Sequence, residues 1–175
     1  MTCKILEVAG LNKHFGGLHA VKDLTFNLFE GDKSAIIGPN GAGKSTLFNL
    51  VTGYHKVDSG VISFAETDIT NWPSHKVAKV GISRAFQISN IFPALSVFEN
   101  VRSAVHAQMG KAFDIFGRAD RMGIHESEKI LDLCGLAVSA TLVAGELSQG
   151  DKKKLELAIA LAGKPKLLLV DEPTA

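Results

Sequence analysis

Gly38-Pro39-Asn40-Gly41-Ala42-Gly43-Lys44-Ser45-Thr46 is the stretch that decides how this chain is read. It fits G-x-x-x-x-G-K-[ST], a pattern in which glycines let the backbone curl until successive N–H groups face the α- and β-phosphates of a nucleotide. Lys44 supplies a point charge for the β- and γ-phosphates and Ser45 a hydroxyl for Mg2+. A helix opening near Lys44 aims the positive end of its dipole at the same anion. Working outward, Ser34-Ala35-Ile36-Ile37 predicts a buried strand entering the loop. Thr46-Leu47-Phe48-Asn49-Leu50-Val51 predicts a helix leaving it and stopping at Gly53. Strand, glycine-rich turn and helix in that order imply a site for a nucleoside triphosphate.

Bulk composition narrows the partners. With 175 residues, 46% of them hydrophobic and 21% charged, the chain has the size and make-up of one folded domain. Nineteen basic against eighteen acidic residues leave a net charge of +1, so no global field is present to hold nucleic acid, and none is expected as a partner. Cys3 and Cys134 have no C-x-x-C companion, which argues against a zinc site or a disulfide framework and fits a reduced, cytosolic compartment. The start, Met1 to Glu7, has no long apolar core behind a basic cluster. No stretch approaches the roughly 18 apolar residues that span a bilayer, so the chain reads as soluble or peripheral to a membrane.

Along the first third, alternating residues predict strands from Lys4 to Ala9 and from Lys22 to Glu30, the second closed by a Gly31-Asp32 turn. Asp58-Ser59-Gly60 reads as a turn before a strand from Val61 to Ala65. A mixed or antiparallel sheet beside a parallel nucleotide-binding core is implied. Ser96-Val97-Phe98-Glu99 is a capping box opening a helix to about Gln108. Glu126 to Cys134 reads as a further helix closed by Gly135, with Met109 to Gly123 as the connection. Ser148-Gln149-Gly150-Asp151 opens a helix with apolar Leu155, Ile159 and Ala162, ended by Gly163 and Pro165. Lys166 to Val170 then lacks alternation, as a parallel strand covered on both faces would, and places Asp171-Glu172 at the carboxyl end where open α/β sheets bind ligands. There Asp171 would hold Mg2+ and Glu172 would orient or deprotonate an attacking water. Alone, the same pair suits an acidic helix N-cap after a strand. The loop upstream favours the phosphoryl-transfer reading.

Gly38 to Thr46 as Walker A, Leu147-Ser148-Gln149-Gly150-Asp151 as the signature and Leu167 to Glu172 as Walker B together resemble the ATP-binding cassette ATPases, over the whole chain. The resemblance implies an α/β fold: a P-loop NTPase core with an antiparallel β subdomain and a helical, signature-bearing subdomain. It implies one nucleotide-binding domain over residues 1–175, with 1–88 and 163–175 as ATP-binding core and 89–162 as the helical part. Ala85-Phe86-Gln87 looks like the glutamine loop. Gln87 would join Glu172 in catalysis and join Ser45 and Asp171 around Mg2+. Phe15, in Lys13-His14-Phe15-Gly16-Gly17, looks like the aromatic that stacks on adenine, although a lone aromatic beside a strand is otherwise a core residue. ATP would be held by Phe15 and by Gly38, Pro39, Asn40, Gly41, Ala42, Gly43, Lys44, Ser45 and Thr46.

In that family two cassettes pair head to tail, so Ser148 and Gly150 would reach the γ-phosphate held by a second ATPase subunit, identical or not. The signature departs from Leu-Ser-Gly-Gly-Gln at Gln149 and Asp151, and Lys152-Lys153-Lys154 behind it reads as a solvated helix face. Phe15 to Val21 and Gly81 to Gln87 look most like the ATPases of branched-chain amino acid importers, with urea and amide importers similar. Such a cassette would dock on membrane permease subunits at the cytoplasmic face, served by an extracytoplasmic substrate-binding protein. Family members continue past Glu172-Pro173-Thr174-Ala175 to a switch histidine, and all six histidines here precede Glu172. The chain therefore reads as C-terminally truncated, and as given it is expected to hydrolyse ATP poorly. A non-transport cytosolic cassette ATPase is an alternative, but residues 89–146 show no sustained heptads like those of repair members. A small-molecule kinase leaves Leu147 to Asp151 without a role, and a hydrolysis-deficient nucleotide-binding fragment stays open.

Overall fold

β1 (Lys4–Phe15) and β2 (Leu18–Phe29) form a long antiparallel hairpin in the computed structural model, which describes residues 3–85, 91–108 and 119–171, with only the backbone described at 119–122. Both strands run further toward their shared turn than alternation predicts. The reason is Gly16-Gly17, a two-residue connection with Gly16 at φ 56, which lets Phe15 pair with Leu18 and draws the polar run Asn12-Lys13-His14 into the ladder. β1 pairs on its other edge with β3 (Ser59–Phe64), and β4 (Thr67–Asp68) completes a sheet of order β2-β1-β3-β4. Leu6 and Val8, and opposite them Ile62 and Phe64, keep the period of two and are buried. An irregularity between Val8 and Leu11, where Gly10 takes φ 58, shifts the phase so that Leu11 is buried as well.

α1 (Lys44–Val51) leaves the glycine-rich loop as the sequence predicts. Its end is a Schellman motif: Gly53 stands at φ 69, its N–H donates to the Leu50 carbonyl, and the Tyr54 N–H donates to the Asn49 carbonyl. α2 (Ser74–Val80), with Val77 buried, closes this first unit; the sequence does not predict it, because seven residues are too few to show a helical period. The strand predicted for Ser34–Ile37 is not formed. Residues 32–39 lie outside any strand and Ile37 is 91% exposed. Four residues of strand-like composition become a strand only where a neighbour takes their N–H and C=O groups, and the ladder of this unit is already ordered without them.

The second unit spans residues 81–175. β5 (Ile82–Ala85) pairs in parallel with β6 (Leu167–Val170), Ile82 opposite Leu167 and Ala85 opposite Val170, so the parallel strand expected from Leu167-Leu168-Leu169-Val170 is present, but it is not covered on both faces: Leu169 is buried and its three neighbours are half-buried. α3 (Val97–Gln108), α4 (Ala119–Leu133) and α5 (Gln149–Ala162) bury Val97, Val101, Val105, Leu131, Leu155 and Ala158 in one cluster. α4 starts seven residues earlier than Glu126, taking up the end of what the sequence suggests is a connection. Gly123, read as a loop signal, is inside it: a Cβ there would stand 2.5 Å from His106 Nε2 on α3, so the glycine serves close helix packing. Gly135, at φ 66, closes α4 in a second Schellman motif, with its N–H to Asp132 and the Leu136 N–H to Leu131.

The capping box that opens α3 is complete. Glu99 N–H donates to Ser96 Oγ at 3.1 Å, and the Ser96 N–H donates back to Glu99 Oε2 at 2.8 Å. One residue on, Asn100 is 1% exposed; its Oδ1 accepts from the Phe92 N–H at 2.7 Å, and its Nδ2 donates to the Phe92 and Ser96 carbonyls at 3.0 and 2.9 Å. This amide stands in for a strand partner to the 91–95 segment. Asn100→Leu strands those groups and is expected to lower stability by about 1–3 kcal/mol, read as a fall in the thermal midpoint.

Candidate nucleotide site

Gly43 is the N-cap of α1, at φ 87, and having no side chain it offers the helix no side-chain cap. The free N–H groups of the first turn, with the helix dipole behind them, therefore face outward to whatever anion occupies the loop. Gly41 also lies in the left-handed region, at φ 83, and the Ala42 N–H closes a turn to the Pro39 carbonyl at 3.2 Å. Gly43 is constrained twice. Beyond its dihedral, any Cβ would run into the carbonyl oxygen of Ala20 on β2, so the loop is seated directly on that strand. Lys44 arches back across the loop, Nζ donating to the carbonyls of Gly38 at 2.6 Å and Pro39 at 2.9 Å. Pro39, Asn40, Gly41, Ala42 and Ser45 are exposed, and Gly38 and Thr46 half-buried. Helix N-terminus, arched ammonium and exposed Ser45 hydroxyl make a cradle that fits a polyphosphate.

Phe15 ends β1 at the tip of the same hairpin: Val21, beside the loop's seat at Ala20, pairs with Lys13, two positions before Phe15. The motif around Phe15 makes it the expected adenine platform over a core residue; the ring is 43% exposed. Three groups surround it that the sequence reading did not single out. Lys13 Nζ lies 5.4 Å from the ring centroid, and His55 packs against the ring edge to face with centroids 5.3 Å apart. Asp58 holds Lys13 Nζ at 2.8 Å and accepts the His14 N–H at 2.6 Å. The Lys13 hydrogen bond first, and the His14 N–H second, hold the Asp58 carboxyl well below its ordinary value, at about 2. These contacts join residues about 40 positions apart, across a sheet register that local pattern does not reveal.

In the second unit Asp171 follows β6, its N–H donating to the Ala85 carbonyl at 3.3 Å. Its Oδ2 accepts from Arg84 Nη2 at 2.5 Å, with the side chains only 13% and 10% exposed. Arg84 is adjacent to the segment quoted as the glutamine loop, yet only the parallel register of β5 with β6 brings it to Asp171. A carboxylate and a hydroxyl are hard oxygen donors of the kind Mg2+ takes. Asp171 and Ser45 belong to different units, each described by itself. Gln87 and Glu172 lie outside the described residues.

Ser148 is the N-cap of α5, as its sequence predicts. Its Oγ accepts the Asp151 N–H at 3.1 Å and donates to Asp151 Oδ2 at 2.8 Å, while Lys154 Nζ holds the other carboxylate oxygen at 2.8 Å. Lys154 first and Ser148 second keep the Asp151 carboxyl below its ordinary value. Gly150 is exposed in the first turn. Of the three lysines read as a solvated face, Lys154 is exposed, whereas Lys152 and Lys153 are half-buried.

Residues 21–175 match the family model described as ABC transporter. The chain belongs to the ABC transporter family. It is 35% identical to the high-affinity branched-chain amino acid transport ATP-binding protein LivG of Salmonella typhimurium, over all of this chain and 71% of that protein. The ADP conformation of MJ1267, an ATP-binding cassette of an ABC transporter, superposes with a TM-score of 0.83 at 34% identity, covering 99% of this chain and 70% of that one. The dimeric post-hydrolysis state of the cassette MJ0796, bound to ADP and Pi, gives a TM-score of 0.80 at 25% identity over 97% of this chain and 75% of its own. The fold is thus the P-loop NTPase fold of ABC ATPase domains, and the chain is an ATP-binding member of that group. No helix among the described residues is long and apolar enough to cross a membrane.

Gly43→Ala tests the seat of the loop. A left-handed alanine costs about 1–2 kcal/mol before its clash with Ala20 is counted, so ATP affinity is expected to fall by at least about tenfold, measured by calorimetric titration, with the far-UV spectrum unchanged.

Proposed function

We propose that this chain is the ATP-binding and ATP-hydrolysing subunit of an ABC importer, and that the importer takes up branched-chain amino acids. The observation that carries the reading is the uncapped N-terminus of α1, with Lys44 arched over the loop, in a chain alignable along its whole length with LivG. The triphosphate lies in the Gly38 to Thr46 loop, where backbone N–H groups and Lys44 neutralise it, and adenine stacks on Phe15. Ser45, Asp171 and Gln87 would hold Mg2+, which would offset the charge of the phosphates. Glu172 accepts a proton from the water that attacks the γ-phosphorus; the bond to the bridging oxygen breaks, leaving ADP and inorganic phosphate.

Residues 1–88 and 163–175 serve as the ATP-binding core and 89–162 as the helical subdomain, a division favoured by the buried cluster that α3, α4 and α5 share. Two such subunits pair head to tail, Ser148 and Gly150 of one facing the γ-phosphate of the other. The pair works on membrane permease subunits at the cytoplasmic face, and an extracytoplasmic binding protein delivers the solute. LivG's branched-chain amino acid transport supports the substrate, which the permease selects because the cassette does not touch it.

Lys44→Ala removes a charge-assisted contact and is expected to weaken ATP binding by about 1.5–3 kcal/mol in calorimetric titration; unchanged affinity would sink the Walker A assignment. In the assembled transporter, Glu172→Gln is expected to cut phosphate release by roughly 10²–10⁴ with ATP affinity retained. Normal turnover in that variant would move the base elsewhere.

A further inference from the structure

The tip of the β1–β2 hairpin carries a connected set of side chains around Phe15 that the phosphate loop does not need. Gly53 ends α1 and turns the chain so that Tyr54 and His55 follow at once; Tyr54 packs edge to face on His55 with centroids 5.6 Å apart, and His55 packs in the same way on Phe15 at 5.3 Å. From β1, Lys13 reaches the Phe15 ring at 5.4 Å while its ammonium is tied to Asp58 Oδ1 at 2.8 Å. Asp58 is itself fixed: its N–H donates to the Asn12 carbonyl at 3.0 Å and its other oxygen takes the His14 N–H at 2.6 Å.

Each contact has a consequence for the ring. A phenylalanine at the end of a hairpin can rotate about its side-chain torsions, and a rotating ring must be stilled before a base can stack on it. A cation held near the ring draws electron density toward itself, and a ring at its edge blocks rotation. Because Asp58 remains ionised far below neutral pH, the tie on Lys13 holds throughout the physiological range. α1 adds geometry: its first turn carries the phosphate cradle and its last turn delivers His55, so one rigid helix of eight residues spaces the triphosphate from the base.

We propose that Lys13, anchored by Asp58, and His55, delivered by α1, are positioning residues that fix Phe15 as the platform for the nucleotide base. The proposal rests on the reading of Phe15 as the base-stacking ring. It makes base recognition separable from phosphate recognition: the loop binds the triphosphate alone, and the Lys13–Phe15–His55 group adds only the part of the affinity that depends on the base.

The test is calorimetric titration of the purified chain with ATP and, separately, with inorganic tripolyphosphate, for Phe15→Ala, Lys13→Met, Lys13→Arg, Asp58→Asn and His55→Ala. Lys13→Met, Asp58→Asn and His55→Ala are each expected to weaken ATP about 3- to 10-fold, with tripolyphosphate unchanged. Lys13→Arg, which keeps the cation and its carboxylate partner, is expected to retain wild-type ATP affinity. Equal losses toward ATP and tripolyphosphate in Lys13→Met would make Lys13 a phosphate ligand and overturn the proposal. ATP affinity unchanged in Lys13→Met and His55→Ala, but lowered in Phe15→Ala, would overturn the positioning role and leave the platform standing. ATP affinity unchanged in Phe15→Ala would remove the platform itself, and the proposal with it.

Discussion

The approach of Gly43 to the Ala20 carbonyl is the constraint on which the nucleotide half of this molecule depends. It seats a helix N-terminus directly against a β-strand, with no side chain between them. That contact fixes the cradle in the frame of the β1–β2 hairpin, and the hairpin register then fixes where Phe15 stands. Replacing the missing cap by an anion is the thermodynamic logic of the loop. The first-turn N–H groups have no side-chain acceptor of their own, so a bound phosphate satisfies donors that are otherwise left to water.

The second unit is organised by different forces. α3, α4 and α5 share one apolar cluster, and their ends are closed locally by a capping box, a Schellman glycine and a serine cap. Against that background the Arg84–Asp171 pair is costly. Two charges have been taken largely out of water, and their attraction repays the desolvation only while both are present. Any divalent cation approaching Asp171 Oδ2 meets a guanidinium already on that oxygen. The pair therefore ties the end of β6 to the end of β5, immediately before the segment that contains Gln87.

What was legible in the sequence is what local chemistry decides. The Gly38 to Thr46 loop, the helix it opens, the stops at Gly53 and Gly135, and the caps at Ser96 and Ser148 all depend on residues within about six positions of one another, and all stand where the residues placed them. What was not legible depends on partners distant in the chain. Ser34–Ile37 has the composition of a buried strand and forms none, because composition cannot supply a neighbouring ladder. Gly123 looks like a loop glycine and is a packing glycine, because the reason for it, His106, lies on another helix. Lys13, Asp58 and His55 around Phe15, and Arg84 on Asp171, are products of strand register and were invisible for the same reason.

The signature helix shows how a local rule and a functional one can compete for the same atoms. Ser148 Oγ caps its own helix through the Asp151 N–H, and it also donates to the Asp151 carboxylate, which Lys154 steadies from the other side. Under the head-to-tail pairing proposed above, the γ-phosphate of a second subunit would arrive at this same N-terminus and find a carboxylate beside it. Like charges at one helix end repel, so the phosphate gains Ser148 only as Asp151 gives up its hydroxyl donor and leans toward Lys154. A glutamine at that position, as in the common form of the signature, would bring no such charge. Asp151 would thus make closure of such a pair more sensitive to salt than closure of a glutamine-bearing cassette, because screening weakens the repulsion at an exposed site more than it weakens the hydrogen bonds of the cap.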